Sequence, residues 1–355
     1  MAGETECEIG CPSRQVSLVF VSIHSINQVY VFGSIKALGA DGMRTSHVGS
    51  YPLDHSLSNL KKAFLDTVEA GITVPPVPQL RPFTDMYLDP LEEMGYLKKI
   101  KGRKYNPIRL EGEPELPEME EVNWFINVAK ERCFDLSHAR MPITGPFTLA
   151  SRIQTGEGGI SNSLITDKKK IFEFLIPYVS RITKRMDELG FGVIFVDEPV
   201  IGLLVGRRIL FDYKESDILE AYELIFSGVK AEKGTHICGK ISPRLSEILM
   251  KVPVTYLSHE FYDSRSNLDR FSKEALEEGG KVLSPGIVSA QSMDVETIEE
   301  VRKLLIEIID RFGLERVDLV SGDCGFGGLK AAGPHAYDTA INKLKLISEV
   351  VRSLS

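Results

Sequence analysis

A closed (β/α)8 barrel, the TIM-barrel class of α/β fold, is what this sequence predicts, on three observations. From residue 44 onward, eight short apolar runs alternate with long stretches of helical periodicity. The glycine-rich phosphate turn of a doubly wound open sheet is missing: the first run ends in "VGSYP", and "GDCGFGGLKAAG" near the end matches neither GxGxxG nor a Walker loop. Polar residues close the apolar runs, and the C-terminal ends of barrel strands are where chemistry collects.

Taken in order, the predicted strands are "SHVGSY" (46–51), "GITVPPV" (71–77), "ARMPITG" (139–145), "GVIFVDE" (192–198), "GTHICG" (234–239), "VTYLSHEF" (254–261), "KVLSPGIV" (281–288) and "RVDLVSGDCG" (316–325). Between them, "KKKIFEFLIPYVSRITKRMDELG" and "VETIEEVRKLLIEIIDRFG" carry apolar residues at a spacing near 3.6, the mark of a helix with one buried face. "SPRLSEILMK" opens with Ser242 as an N-cap and Pro243 at the first helical position, where the missing N–H costs nothing. Residues 44–355 are therefore read as one barrel. An insertion at about 80–137, rich in Pro, Glu and Lys, is read as a lid or substrate-contacting arm, or as a surface excursion. Residues 1–43 are read as an N-terminal extension outside the core, since Met43 opens "MRTSHVGSYP" as a natural start; "SLVFVSI" within it could still form an edge strand.

Composition narrows the function. Of 355 residues, 43% are hydrophobic and 26% charged, as in ordinary globular chains, and a net charge of −8 leaves no nucleic-acid footprint. The basic run "KKIKGRK" (98–104) is read as a solvated loop. "VSLVFVSIHSINQVYVFGSI" is too polar for a membrane span and lacks the basic start of a signal peptide. Five cysteines, an odd number scattered over a long chain, form no disulfide framework and point to a reducing, cytoplasmic setting.

The strand ends carry Ser50, Asp197, His236, Cys238, Glu260 and Cys324. His236 and Cys238, two apart on a strand, project from one face. Glu260 ends the next strand and Cys324 the eighth; one nitrogen, two sulfurs and one carboxylate suit Zn²⁺ by type and number. A carboxylate is the most readily displaced of the four, so a substrate thiol could replace it and be held as thiolate, which suits alkyl transfer to sulfur. His259 points to the opposite face and is read as packing or outer support. In "FVDEPV", Asp197 shares its side with Phe195 and is expected in the barrel mouth, ready for an ammonium group, while Glu198 is expected to cap the following segment.

Together these elements resemble, in order from Val48 to Gly325, the catalytic barrel of cobalamin-independent methionine synthase. "VGSYP" is similar to that family's Ile-Gly-Ser-Phe-Pro, which implies that Val48, Gly49 and Ser50 hold the homocysteine carboxylate. "ITGPFT" (143–148) resembles Thr-Gly-Pro-Val-Thr, and "DEP" (197–199) the segment whose Asp binds the homocysteine amine, implying that role for Asp197. "HICG", "HE" and "DCG" imply the zinc ligands His236, Cys238, Glu260 and Cys324. Departures accompany the match: Arg152 stands for the folate-stacking Trp, Leu203 for a folate-binding Glu, and Gln291 at the catalytic position of a proton-donating His. Leu88 replaces a second amine-binding Glu, leaving Asp85 as the nearby substrate-binding candidate, with Asp89 beside it. There is no room for the family's second barrel. This pattern resembles the short, single-barrel archaeal and bacterial type and implies a methylcorrinoid donor, methylcobalamin or a methylated corrinoid protein, with homocysteine as acceptor and no nucleic-acid or membrane partner. The alternatives are methyl-folate as donor, another thiol such as coenzyme M as acceptor, or a non-catalytic barrel with a structural zinc.

Overall fold

The computed structural model describes residues 42–354, so the reading of the N-terminal extension lies outside the described residues except at its end, where Met43 is buried in the core. An antiparallel hairpin, β1 (Leu97–Ile100) and β2 (Lys104–Pro107), stands apart from a parallel sheet. That sheet runs β3 (Arg140–Thr144), β4 (Val193–Asp197), β5 (Glu232–Ile237), β6 (Tyr256–Glu260) and β7 (Val282–Gly286), in chain order. Three further segments close the ring through parallel bridges: Thr45 to Val320, Ser46 to Val74, Pro76 to Arg140 and Gly286 to Ser321. The architecture is the predicted (β/α)8 barrel.

The predicted strands 46–51, 71–77 and 316–325 pair only at isolated bridges. Pro75 and Pro76 explain this for the second: neither has an N–H to donate, so this segment contributes the Val77 N–H to the Arg140 carbonyl (2.9 Å) and the Pro75 carbonyl to the Arg140 N–H (3.0 Å).

One outer helix follows each strand among the described residues: Leu57–Glu69, Glu120–Glu131, Ile176–Glu188, Glu215–Ile225, Pro243–Leu249, Lys273–Glu278, Ile298–Phe312 and Ala336–Arg352. Each buries its apolar stripe on the barrel; in Ile298–Phe312 this is Val301, Leu304, Leu305, Ile308 and Phe312. Ser242 caps its helix as predicted, accepting from the Leu245 N–H at 3.1 Å. The predicted 168–190 helix is interrupted by a π-turn at Ile171–Leu175, just before Pro177, whose missing N–H and ring disfavour the regular ladder there.

The excursion after the second strand is shorter than the predicted 80–137. Residues 120–131 are the barrel's second outer helix, burying Val122, Phe125 and Val128 and setting Phe125 against Phe64 at 4.9 Å. The excursion proper is helix Asp85–Glu93, the β1–β2 hairpin and an irregular return. "KKIKGRK" spans the hairpin and its turn rather than a loose loop, and Lys99 fastens it to the helix through Asp85 (3.2 Å) and Asp89 (2.6 Å).

Candidate metal centre

Parallel register places the candidate ligands. β5 lies between β4 and β6, with Asp197 opposite His236 and His236 opposite Ser258. His236 and Cys238 share an inward face, and Cys324 arrives from the last strand of the ring: His236 Nε2 lies 3.1 Å from Cys238 Sγ, which lies 3.3 Å from Cys324 Sγ. One ligand atom from each of the three falls within 4.8 Å of the others. The other imidazole nitrogen, Nδ1, meets the Ser258 hydroxyl at 3.0 Å, which fixes the ring's orientation. An imidazole and two sulfurs converging at a strand-end mouth fit a soft divalent ion by donor chemistry.

The electrostatics favour a thiolate there. A hydrogen bond from Cys238 holds the Cys324 sulfur well below the usual thiol range against the effect of burial, with His236 adding to the pull. The same hydrogen bond, reinforced by burial, pushes Cys238 up, so one proton serves both sulfurs. For His236 burial opposes the charged ring, but the Cys324 sulfur raises it overall.

Glu260 borders this cluster without entering its 4.8 Å circle. Its carboxylate accepts from the Ser264 hydroxyl at 3.1 Å and a Gly239 N–H, and burial raises its affinity for a proton. The structure thus gathers three of the four predicted ligands tightly and tethers the fourth to its own loop. That loop is clamped by Asp323, whose carboxylate accepts the N–H groups of Phe261 (2.9 Å), Tyr262 (3.0 Å) and Asp263 (2.6 Å). The residue preceding Cys324 thereby ties the sixth strand end to the eighth.

Asp197 ends β4 nearly buried. Burial pushes its carboxyl up to about 6, while Arg140 and His236 pull it down. Glu198 behaves differently from the prediction: it caps the preceding segment, accepting from the N–H groups of Phe147 and Thr148 (2.9 Å each) and the Thr148 hydroxyl (2.6 Å). The reason is spatial. β3 and β4 are neighbours, so the N-terminus of helix Pro146–Ala150 lies beside the end of β4, and Gly145 leaves room, since a Cβ there would lie 2.2 Å from Glu198 Oε1.

Val48, Gly49 and Ser50 lie at the end of the first strand, against the cysteine loop. The Ser50 carbonyl accepts from Phe326 N–H at 2.9 Å and its hydroxyl from Gly327 N–H at 3.2 Å. A Cβ on Gly325 would sit 2.1 Å from Ser50 Oγ, so glycine there lets the first and last strand ends meet. Gly49 has φ +130°, a conformation that favours glycine, and it keeps its carbonyl on the Gln79 N–H at 2.8 Å.

The remaining candidates stand elsewhere. Asp85 is buried and paired with Lys99, so an ammonium would compete with that lysine. Leu88 is wholly buried in the core, and Gln291 is exposed, its backbone N–H on the Ser289 hydroxyl at 3.1 Å. Arg152 is exposed, and so is Leu203, at 67%.

His259 packs as predicted, stacked on Phe271 at 5.5 Å with Nδ1 on the Ile237 carbonyl at 3.2 Å. Burial pushes this ring down to about 3, so it is neutral when folded, whereas an unfolded histidine titrates near 6.5. The folded pKa is the lower one, so its stability contribution is complete above pH 6.5 and lost as pH falls toward 3. The stability advantage of wild type over His259→Phe is therefore expected to shrink by up to about 1.4 kcal/mol per pH unit in that window. Urea midpoints at pH 7.5, 6 and 5 check this; a constant difference would show that the ring takes up its proton in the fold as readily as in the unfolded chain.

Sequence reasoning missed Ser258, Asp323 and Arg140. Ser258 and Arg140 were available by parity, two residues from Glu260 and four from Thr144 on inward faces. The reach of Asp323 toward 261–263 had no signal, because it joins strand ends about sixty residues apart.

Residues 146–352 match the family described as "Cobalamin-independent synthase, Catalytic domain". The chain is 26% identical over 322 residues to a protein of Saccharolobus solfataricus named methionine synthase, covering 79% of this chain and 87% of that one. It is 27% identical over 220 residues to the methionine synthase of Methanocaldococcus jannaschii, covering 59% of this chain and 63% of its length. A solved B12-independent methionine synthase from Shewanella sp. W3-18-1, in complex with selenomethionine, shares the fold: TM-score 0.63, 17% identity, 88% of this chain and 98% of that one. With the family match extending over more than half of the sequence, from the end of β3 through the cluster of His236, Cys238 and Cys324 to the last helix, the chain belongs to the cobalamin-independent methionine synthase family.

Proposed function

We propose that this protein is a methyltransferase that forms methionine from homocysteine at a zinc centre held by His236, Cys238 and Cys324, with Glu260 as the exchangeable fourth ligand. The supporting observation is the convergence of one imidazole and two sulfurs within 4.8 Å, flanked by Asp197 and by the Ser50 turn. The names of the relatives point the same way. Zinc, when bound, supplies the acidity that keeps an acceptor sulfur deprotonated near neutral pH. The chain's own residues do the positioning. Asp197 receives the acceptor's ammonium group, and the 48–50 turn receives its carboxylate. Ser258 keeps the His236 ring in place, and the Asp323 clamp holds the loop bearing Glu260. The acceptor sulfur then attacks the donor's methyl carbon: an S–C bond forms, the bond to the carrier breaks, and its electron pair leaves with the carrier.

For the donor, the family speaks for a cobalamin-independent reaction, with methyl-folate as carrier. Arg152, exposed Leu203 and exposed Gln291, at positions where the resembled family handles folate, speak for a methylcorrinoid. A cytoplasmic setting belongs to this reading and rests on cysteine usage. Zinc-loaded protein, homocysteine and either methylcobalamin or methyl-tetrahydrofolate should yield methionine with at least one donor. Methionine from methyl-folate alone removes the corrinoid; methionine from neither overturns the proposed activity.

A further inference from the structure

Arg140 opens β3 with its side chain inside the barrel and 0% exposed. A buried guanidinium is among the costliest groups a fold can hold unless its five N–H donors are used. Among the described residues, none of its three nitrogens makes a hydrogen bond. Its ionic partner is Asp197, with Nη2 at 3.7 Å from Oδ1, and that oxygen is also buried without a hydrogen bond.

The barrel floor is shaped to put it there. Gly234, inward on β5, carries no side chain, and a Cβ at that position would fall 2.4 Å from the Phe195 ring. The ring therefore lies across the floor, and the Arg140 guanidinium stacks on it with its central carbon 3.7 Å from the ring centroid. From that seat the arginine, although it enters at the N-terminal end of β3, reaches the carboxylate at the C-terminal end of β4. Four residues spend space and charge on one contact, which by stability alone would be better made by apolar side chains.

We propose that Arg140 is a positioning residue for recognition of an amino-acid acceptor: from below, it holds the Asp197 carboxylate in place, leaving the mouth-facing part of Asp197 for an ammonium group. This rests on the proposed homocysteine-binding role of Asp197. The consequence is selectivity for thiols that carry an α-amino group over thiols of the same length that lack it.

The test compares homocysteine with 4-mercaptobutanoic acid, which keeps the thiol and carboxylate but has no amine, by calorimetry on zinc-loaded protein. Wild type should bind homocysteine more tightly. Arg140→Met should fold and keep its zinc, melt at a lower temperature because Asp197 is left buried without its ionic partner, and lose about ten- to a hundredfold in homocysteine affinity with no change for 4-mercaptobutanoic acid. Arg140→Lys should recover part of that preference. A Met variant that fails to fold, loses zinc, or weakens both thiols equally would show a structural role and overturn the proposal. A Met variant that folds and keeps the wild-type preference overturns it too, leaving Asp197 in place as the amine site. If wild type itself shows no preference for homocysteine, the Asp197 reading fails and this inference with it.

Discussion

Cys324→Ser should purify with essentially no zinc and form methionine at less than about a thousandth of the wild-type rate, the loss expected when a metal-dependent step is deprived of its ion. A serine hydroxyl stays protonated where a thiolate would bind, so the centre keeps only one imidazole and one sulfur of its tight cluster. Lost metal, not lost structure, should be the cause. Cys324 sits at the mouth rather than in the core, and its neighbour Asp323 still anchors the loop through three backbone N–H groups. Metal analysis beside a thermal melt separates the two: near-zero zinc with a melting temperature within a few degrees of wild type is the expected pair. Full zinc occupancy with full activity in Cys324→Ser would remove this residue from the centre.

Asp197→Asn is expected to act on the acceptor rather than on the metal. The amide keeps the shape of the carboxylate but removes its charge, leaving Arg140 without its ionic partner and an incoming ammonium without an anion. A hydrogen bond to a charged group contributes about 1.5–3 kcal/mol, so the KM for homocysteine should rise roughly ten- to hundredfold. The kcat at saturation should change much less, because the amine is remote from the reacting sulfur and methyl group. Steady-state kinetics with homocysteine, with zinc content as control, decide this. Equal losses of kcat and kcat/KM with zinc intact would mean that Asp197 serves the transition state directly.

Much of the site could be read from the chain because strands make short-range rules reliable. Two-residue spacing put His236 and Cys238 on one face, and the strand-end rule selected Cys324 and Asp197 from the C-terminal ends of two strands distant in the chain. Glu198 shows the limit. Sequence order suggested that it caps the segment after β4, yet β3 and β4 are adjacent, and its carboxylate takes the N–H groups of Phe147 and Thr148 instead. Glu260 shows it again: its place at a strand end beside the cluster was legible, but its tether to Ser264 was not.

The sequence by itself determined the alternation of strands and helices, the inward parity of the candidate ligands and the family resemblance, since all three are periodic or local. Tertiary structure alone decided that the first, second and eighth strands pair only at bridges, that residues 120–131 belong to the barrel wall, and that Arg140 reaches Asp197 across the Phe195 ring. The physical reason is the same in each case. Local propensity acts over a few residues, whereas these outcomes depend on which strand ends the closed ring brings side by side, and on glycines such as Gly145, Gly234 and Gly325, whose missing side chains show their purpose only once the neighbours they admit are in place.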